Sequence, residues 1–374
     1  MAIVGTAGGL VLLATVVLVE LLARAMTSEW LDLASWPGVR QLANRNVALR
    51  PYQVPSDGYG RHWVLRPGWS ASGPGDANVL LSSPDAAYVG PSINSAGFKG
   101  PEIPQDRSSL PRLLFVGDSV TFGLNAFDYV RVVESRLSTR AVPTICINAG
   151  VEGYATRNAW LERGRYRAQH PDVVVLLLGW NDLYGEDGSY GTAWRSFESI
   201  RMVRKLVRSA AALADPLGYA TSQRWKTKRV DPADPAIARY ANYTPPFLGR
   251  LEQLGEALSD GGGRIVLATL PALYRDGDRP SALALERGHL PEFTDNPLVL
   301  AAMTRQVNDG IRQLAARRGW QLLDLDLWAA GLGADKASYF SDSVHLNQSG
   351  LHIMGQFVAD WLDSHGGLPS TNAR

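Results

Sequence analysis

Three short stretches of this 374-residue chain carry residue types that together can break an acyl bond: Gly117-Asp118-Ser119, Gly179-Trp180-Asn181-Asp182 and Asp342-Ser343-Val344-His345. A fourth, Asn148-Ala149-Gly150-Val151-Glu152-Gly153, supplies glycines. A serine hydroxyl is a weak nucleophile until a neighbouring imidazole accepts its proton. A carboxylate on the other ring nitrogen fixes the tautomer and stabilises the imidazolium. Asp342 stands three residues before His345, within reach across a turn. The negative oxygen of a tetrahedral intermediate then needs preorganised donors, each worth about 2.7–4 kcal/mol. The backbone N–H of Ser119, a glycine N–H from the fourth stretch and the side-chain amide of Asn181 are the candidates. Glycine suits such a position because substrate must approach the backbone unobstructed by a Cβ.

Each stretch alone has a plainer use. Gly, Asp and Ser are common loop residues, Asn181 and Asp182 can cap a helix, and Asp342 can form a turn. His62, His170, His289, His352 and His365 have no accompanying motif and read as surface or packing residues. No metal site is suggested, since the histidines lack ligand spacing on a common helix and there is one cysteine. Cys146 lies in an apolar run and reads as a buried, inert thiol. No cofactor is called for. A net charge of +1 excludes a general nucleic-acid binder.

The elements that must position these residues are legible as short apolar runs. Leu113–Val116, Ile145–Ile147, Val173–Leu178, Ile265–Leu267 and Leu322–Leu325 read as strands, with Met303–Arg318 and Leu351–Leu362 as helices. Continuously apolar strands alternating with helical patterns predict an α/β doubly wound domain with a parallel sheet of about five strands. Residues that follow such strands gather along one sheet edge, where ligands bind. Three of the four stretches sit there.

In this order the four stretches resemble the blocks of the SGNH (GDSL-like) hydrolase family. Gly117-Asp118-Ser119, Gly179-Trp180-Asn181-Asp182 and Asp342-Ser343-Val344-His345 are similar to its serine, Gly-x-Asn-Asp and Asp-x-x-His blocks. The family's oxyanion glycine aligns best with Gly153, with Gly150 as runner-up. Asn94-Ser95-Ala96-Gly97-Phe98-Lys99-Gly100 looks like the Asn-x-x-Gly-Phe-Arg-Gly of bacterial members. One departure is Val120, where many members carry Leu, Ile or Phe. The nucleophile lacks the Gly-x-Ser-x-Gly elbow of α/β-hydrolases, which disfavours that fold. The resemblance implies a flavodoxin-like three-layer sandwich and a serine esterase working through an acyl-enzyme. Ser119, His345 and Asp342 would be catalytic, and Ser119, Gly153 and Asn181 would hold the oxyanion. The implied substrate is an acyl ester of carbohydrate or lipid. Two alternatives stay open: acyl transfer to a glycan hydroxyl by the same residues, and a catalytically silent anchored binding module.

Flanking regions complete the organisation. Ala2–Val19 carries no charge and, as a helix, spans roughly the hydrocarbon thickness of a bilayer. It predicts a single-pass anchor over residues 1–25, with membrane contact through 2–22 and an extracytoplasmic catalytic domain; a cleaved signal peptide is the alternative. Residues 26–110, rich in Pro, Gly, Ser and Trp, read as a stalk or irregular layer, residues 111–365 as the hydrolase domain, and 366–374 as a tail. An insertion lies at about 185–260. Within it Ser196–Leu213 predicts an amphipathic helix, with Phe197, Ile200, Val203, Val207 and Ala210 on one face and Arg201, Arg204, Lys205 and Arg208 on the other. That basic face reads either as a border of the pocket facing anionic glycan or lipid, or as an ordinary solvated surface. Oligomeric state is not encoded in any pattern found.

Overall fold

Side chains that are apolar on both faces of a strand require cover on both sides, and the five central strands have it. In the computed structural model the described residues are 13–23, 52–55, 63–70, 91–104, 110–124, 127–140, 143–186, 190, 197, 199–200, 203 and 226–365. The elements run β1 (Gln53–Pro55), β2 (Trp63–Leu65), β3 (Arg112–Gly117), α1 (Ser119–Phe122), α2 (Tyr129–Thr139), β4 (Ile145–Gly150), α3 (Thr156–Leu161), α4 (Arg163–Arg167) and β5 (Val173–Leu177). They continue with α5 (Trp180–Tyr184), α6 (Pro235–Tyr240), α7 (Leu248–Ser259), β6 (Arg264–Ala268), α8 (Ala282–Arg287), α9 (Pro297–Arg318), β7 (Gln321–Leu323), α10 (Leu325–Ala330), a 3₁₀ turn over Gly333–Tyr339, and α11 (Gln348–Ser364). The chain divides into two compact units: Met1–Leu49 with Pro55–Trp63 and Gly188–Gln223, and Arg50–Val54 with Val64–Asp187 and Arg224–Arg374.

In the larger unit β3 to β7 form one sheet in the order β4-β3-β5-β6-β7, every pair parallel. This is the doubly wound order in which the chain reverses direction between the first strand and the third. Ser119 follows β3 and Asn181 follows β5, neighbours across that switch point. The expected α/β fold with five parallel strands is therefore present. Strand ends depart from expectation where polar side chains decide them. β4 continues through Asn148-Ala149-Gly150, because the strand pairing runs on to Gly117 opposite Gly150. The last strand stops at Leu323 instead of Leu325: the Asp324 carboxylate accepts the Leu327 N–H, caps α10 and draws Leu325 into the helix. Likewise α9 begins six residues before the predicted Met303, where Asn296 caps and Pro297 occupies the first turn.

α11 starts at the Asn347 cap, so the loop carrying His345 ends where a helix must begin. Its buried face (Leu351, Met354, Val358, Leu362) packs on α2, whose Val130, Val133 and Leu137 are also buried. Gly355 lets the two backbones approach: a Cβ there would lie 2.6 Å from Val132 Cβ and 2.8 Å from the Tyr129 carbonyl.

In the smaller unit residues 13–23 are helical, and the Glu20 carboxylate accepts the Ser199 N–H (3.1 Å) and hydroxyl (2.8 Å). Residues 2–12 of the expected anchor lie outside the described residues. Among the described residues no helix is long and apolar enough to cross a membrane. Of the expected helix Ser196–Leu213, residues 199, 200 and 203 are helical, and Phe197 and Val203 are exposed. Its basic residues Arg201, Arg204, Lys205 and Arg208 lie outside the described residues, as does the tail 366–374.

Candidate active site

The sharp exit from β3 places the serine. Asp118 Oδ1 accepts the Val120 N–H at 2.9 Å, turning the chain so that Ser119 opens α1 with no α-helical bond for its own N–H. Beneath it, Asn148 Nδ2 donates to the Thr121 carbonyl and Asn148 Oδ1 accepts the Gly150 N–H, both at 2.9 Å. The Asn94–Gly100 segment supports the same corner from outside. The buried Lys99 ammonium donates to the Phe122 carbonyl (2.6 Å) and pairs with Asp128 (3.3 Å), while Lys99 N–H reaches the Asn148 carbonyl (3.1 Å). Burial lowers the Lys99 pKa, against the pull of Asp128.

His345 meets this corner from the loop between the 3₁₀ turn and α11. Its Nε2 lies 2.7 Å from Ser119 Oγ, and its Nδ1 lies 2.7 Å from Asp342 Oδ2. Asp342 Oδ1 accepts the backbone N–H groups of Val344 (2.9 Å) and His345 (2.8 Å), locking the tight turn that the spacing predicted. Burial acts to lower the His345 pKa, but the Asp342 carboxylate, helped by Asp118 and Glu152, outweighs it and the net shift is upward. For Asp342 burial acts upward, yet the imidazoles of His345 and His289 hold the carboxyl well below its usual range. For Asp118 burial outweighs the Val120 N–H and the His345 imidazole and pushes the carboxyl up to about 7; among the described residues its Oδ2 has no hydrogen-bond partner.

The donor side is set by the loop after β4 and by α5. Asn181 Nδ2 donates to the Tyr154 carbonyl at 3.0 Å, leaving its second amide hydrogen for another acceptor. Asp182 accepts both the N–H and the hydroxyl of Thr156 at 2.9 Å, clamping α5 to the start of α3. Between these ties Gly153 is exposed at φ +80, a conformation that costs glycine nothing. Gly150, the runner-up, is excluded as a donor: its N–H is taken by Asn148, and a Cβ there would collide with the Phe122 amide.

Two features depart from the sequence reading. His289 is no isolated surface residue, for its Nδ1 lies 3.5 Å from Asp342 Oδ1. No motif marks it, so only the fold reveals the contact. Asn148 and Lys99 act as props, a role their motifs did not disclose. Cys146 is buried as expected, and burial pushes its thiol up to about 12. A cavity of about 510 Å³ involving Tyr274, Arg279 and Lys336 includes neither Ser119, Asn181 nor His345 in its walls.

The model of the GDSL-like lipase/acylhydrolase family matches residues 115–353. The chain belongs to that family. It is a serine esterase of the SGNH type, and ester hydrolysis is the family's reaction. Among solved structures it is similar to a lipase/acylhydrolase from Enterococcus faecalis (15% identity, 70% of this chain and 98% of that one, TM-score 0.42). It is also similar to the acetylxylan esterase Axe2 from Geobacillus stearothermophilus (18%, 70% and 97%, TM-score 0.41) and a GDSL-like lipase from Bacteroides thetaiotaomicron (16%, 70% and 93%, TM-score 0.39). No curated protein matches the chain.

Proposed function

We propose that this esterase works through an acyl-enzyme on Ser119 and removes acetyl or other short acyl groups from envelope carbohydrate or lipid. The observation that carries the mechanism is the continuous relay from Ser119 Oγ to His345 Nε2 and from His345 Nδ1 to Asp342, 2.7 Å at each step. As Oγ adds to the ester carbonyl, Nε2 takes its proton and Asp342 stabilises the imidazolium. The negative oxygen is held by the N–H groups of Ser119 and Gly153 and the free amide hydrogen of Asn181. Collapse expels the alcohol, which leaves with the proton from Nε2. Water then attacks the acyl-enzyme, gives its proton to the same nitrogen and releases the acid, with Ser119 regenerated as that proton returns. The cycle needs no cofactor.

Residues 2–22 are proposed to hold the enzyme at a membrane, with the catalytic unit on the extracytoplasmic side. Support comes from the charge-free run Ala2–Val19 and from Leu13, Leu18, Leu21 and Leu22, which are all more than half exposed. A helix surface of this kind suits lipid better than water. The test is a panel of acetyl, butyryl and longer acyl esters turned over by wild type and Ser119→Ala, with fluorophosphonate labelling alongside. Turnover of short esters, labelling at Ser119, and loss of both in the variant are expected. Equal turnover by both proteins sinks the mechanism.

A further inference from the structure

We propose that His289 is a positioning residue for the Asp342–His345 pair and thereby sets the pH at which the base becomes available. The inference rests on the serine-esterase reading of that pair. His289 lies just after α8, outside all four motif stretches, yet it joins the two elements that carry Asn181 and His345. Its carbonyl accepts the hydroxyl of Tyr184, the last residue of α5, at 3.0 Å, and also the hydroxyl of Ser343 in the His345 loop. Its ring contacts two others: centroids are 4.9 Å from Tyr184, and 6.3 Å from His345 with the two imidazoles nearly parallel at 13°.

The buried ring nitrogen gives these contacts their chemical point. Nδ1 is buried and, among the described residues, makes no well-aligned hydrogen bond; Asp342 Oδ1 lies 3.5 Å away. That distance is long for a bond and the alignment is loose, but contacts of this kind tighten when substrate docks. A buried N–H is costly to leave unmet, so a hydrogen on Nδ1 is directed at Asp342. Oδ2 then remains for His345. An N–H donated to Oδ1 spreads the carboxylate's charge and weakens its hold on the His345 proton. The other groups acting on His345 are Asp118 at the end of β3 and Glu152 after β4; His289 itself faces Asp342, His345 and the Tyr184 phenol.

His289→Phe keeps a ring and removes the donor, whereas His289→Asn keeps an N–H close to the Nδ1 position; His289→Leu replaces the Phe variant if the larger ring prevents folding. The imidazole titration of His345 is followed by NMR in each protein, together with the pH profile of kcat/KM on a short acyl ester. In His289→Phe, His345 is expected to titrate at higher pH, the acidic limb of kcat/KM to move up with it, and kcat to fall about fivefold at unchanged KM. His289→Asn restores all three. Identical His345 titration in wild type and the folded Phe or Leu variant overturns the proposal, as does an Asn variant no better than Phe. The NMR titration needs no turnover, so an inactive wild type counts against the esterase mechanism alone and leaves this contact to be decided by the resonance.

Discussion

Asn181 commits one amide hydrogen to the Tyr154 carbonyl, and the proposed mechanism assigns the other to the oxyanion. Asn181→Ala should therefore lower kcat by about 10²–10³-fold with little change in KM, measured by steady-state kinetics on a short acyl ester. Asp342→Asn preserves the turn but offers His345 the wrong partner, and a loss in kcat of about 10⁴-fold is expected. The base must be neutral to take the serine proton, so activity grows as His345 deprotonates. Because Asp342, with Asp118 and Glu152, raises the His345 pKa, the acidic limb of kcat/KM should have its midpoint above the 6.5 of an ordinary imidazole. Asp118 makes the opposite kind of statement, about stability. Its folded pKa of about 7 exceeds the ordinary 3.8, so the folded chain binds more protons than the unfolded chain between these values, and stability falls as pH rises through that window. Asp118→Asn keeps an oxygen for the Val120 cap and removes the titration. Urea denaturation should show the variant gaining on wild type between pH 5 and pH 8, by on the order of a few kcal/mol. A gap independent of pH would contradict this account.

At the scale of elements, the reactive loops are held by packing that leaves little slack. α11 follows directly on the His345 loop and rests against α2 through Gly355. Gly355→Ala forces a methyl into Val132 and the Tyr129 carbonyl, and should destabilise the fold by about 1–3 kcal/mol in thermal or chemical unfolding. Buried runs such as Val173–Leu177 were recognisable as strands because both faces are apolar, and α11 because its apolar residues recur at helical spacing. Boundaries were less legible. Asp324, Asn296 and Asn347 end or begin elements through single side-chain bonds to backbone N–H groups, and the same residue types serve equally in turns.

For the whole molecule, the sheet order brings the residues after β3 and β5 side by side, and the loop before α11 closes over them. Removing residues 1–25 should shift the protein from the membrane fraction to the soluble fraction while leaving ester turnover intact, checked by fractionation and assay; a full-length chain that is already soluble would refute the anchor. Residue type and local spacing were enough to single out the proposed nucleophile, base and acid, because Asp342 and His345 meet within one turn and the strand-end positions of Ser119 and Asn181 follow from the parallel sheet. They also determined the α/β class, because burial of a sheet on both faces imposes a pattern that composition cannot hide. Tertiary structure alone set Gly150 aside in favour of Gly153 as the proposed donor, since that depends on which N–H Asn148 has already taken. It alone brought His289 to Asp342 and Lys99 under Phe122. Such contacts join residues tens of positions apart through geometry, and no periodicity along a chain records which side chains the folded backbone will bring together.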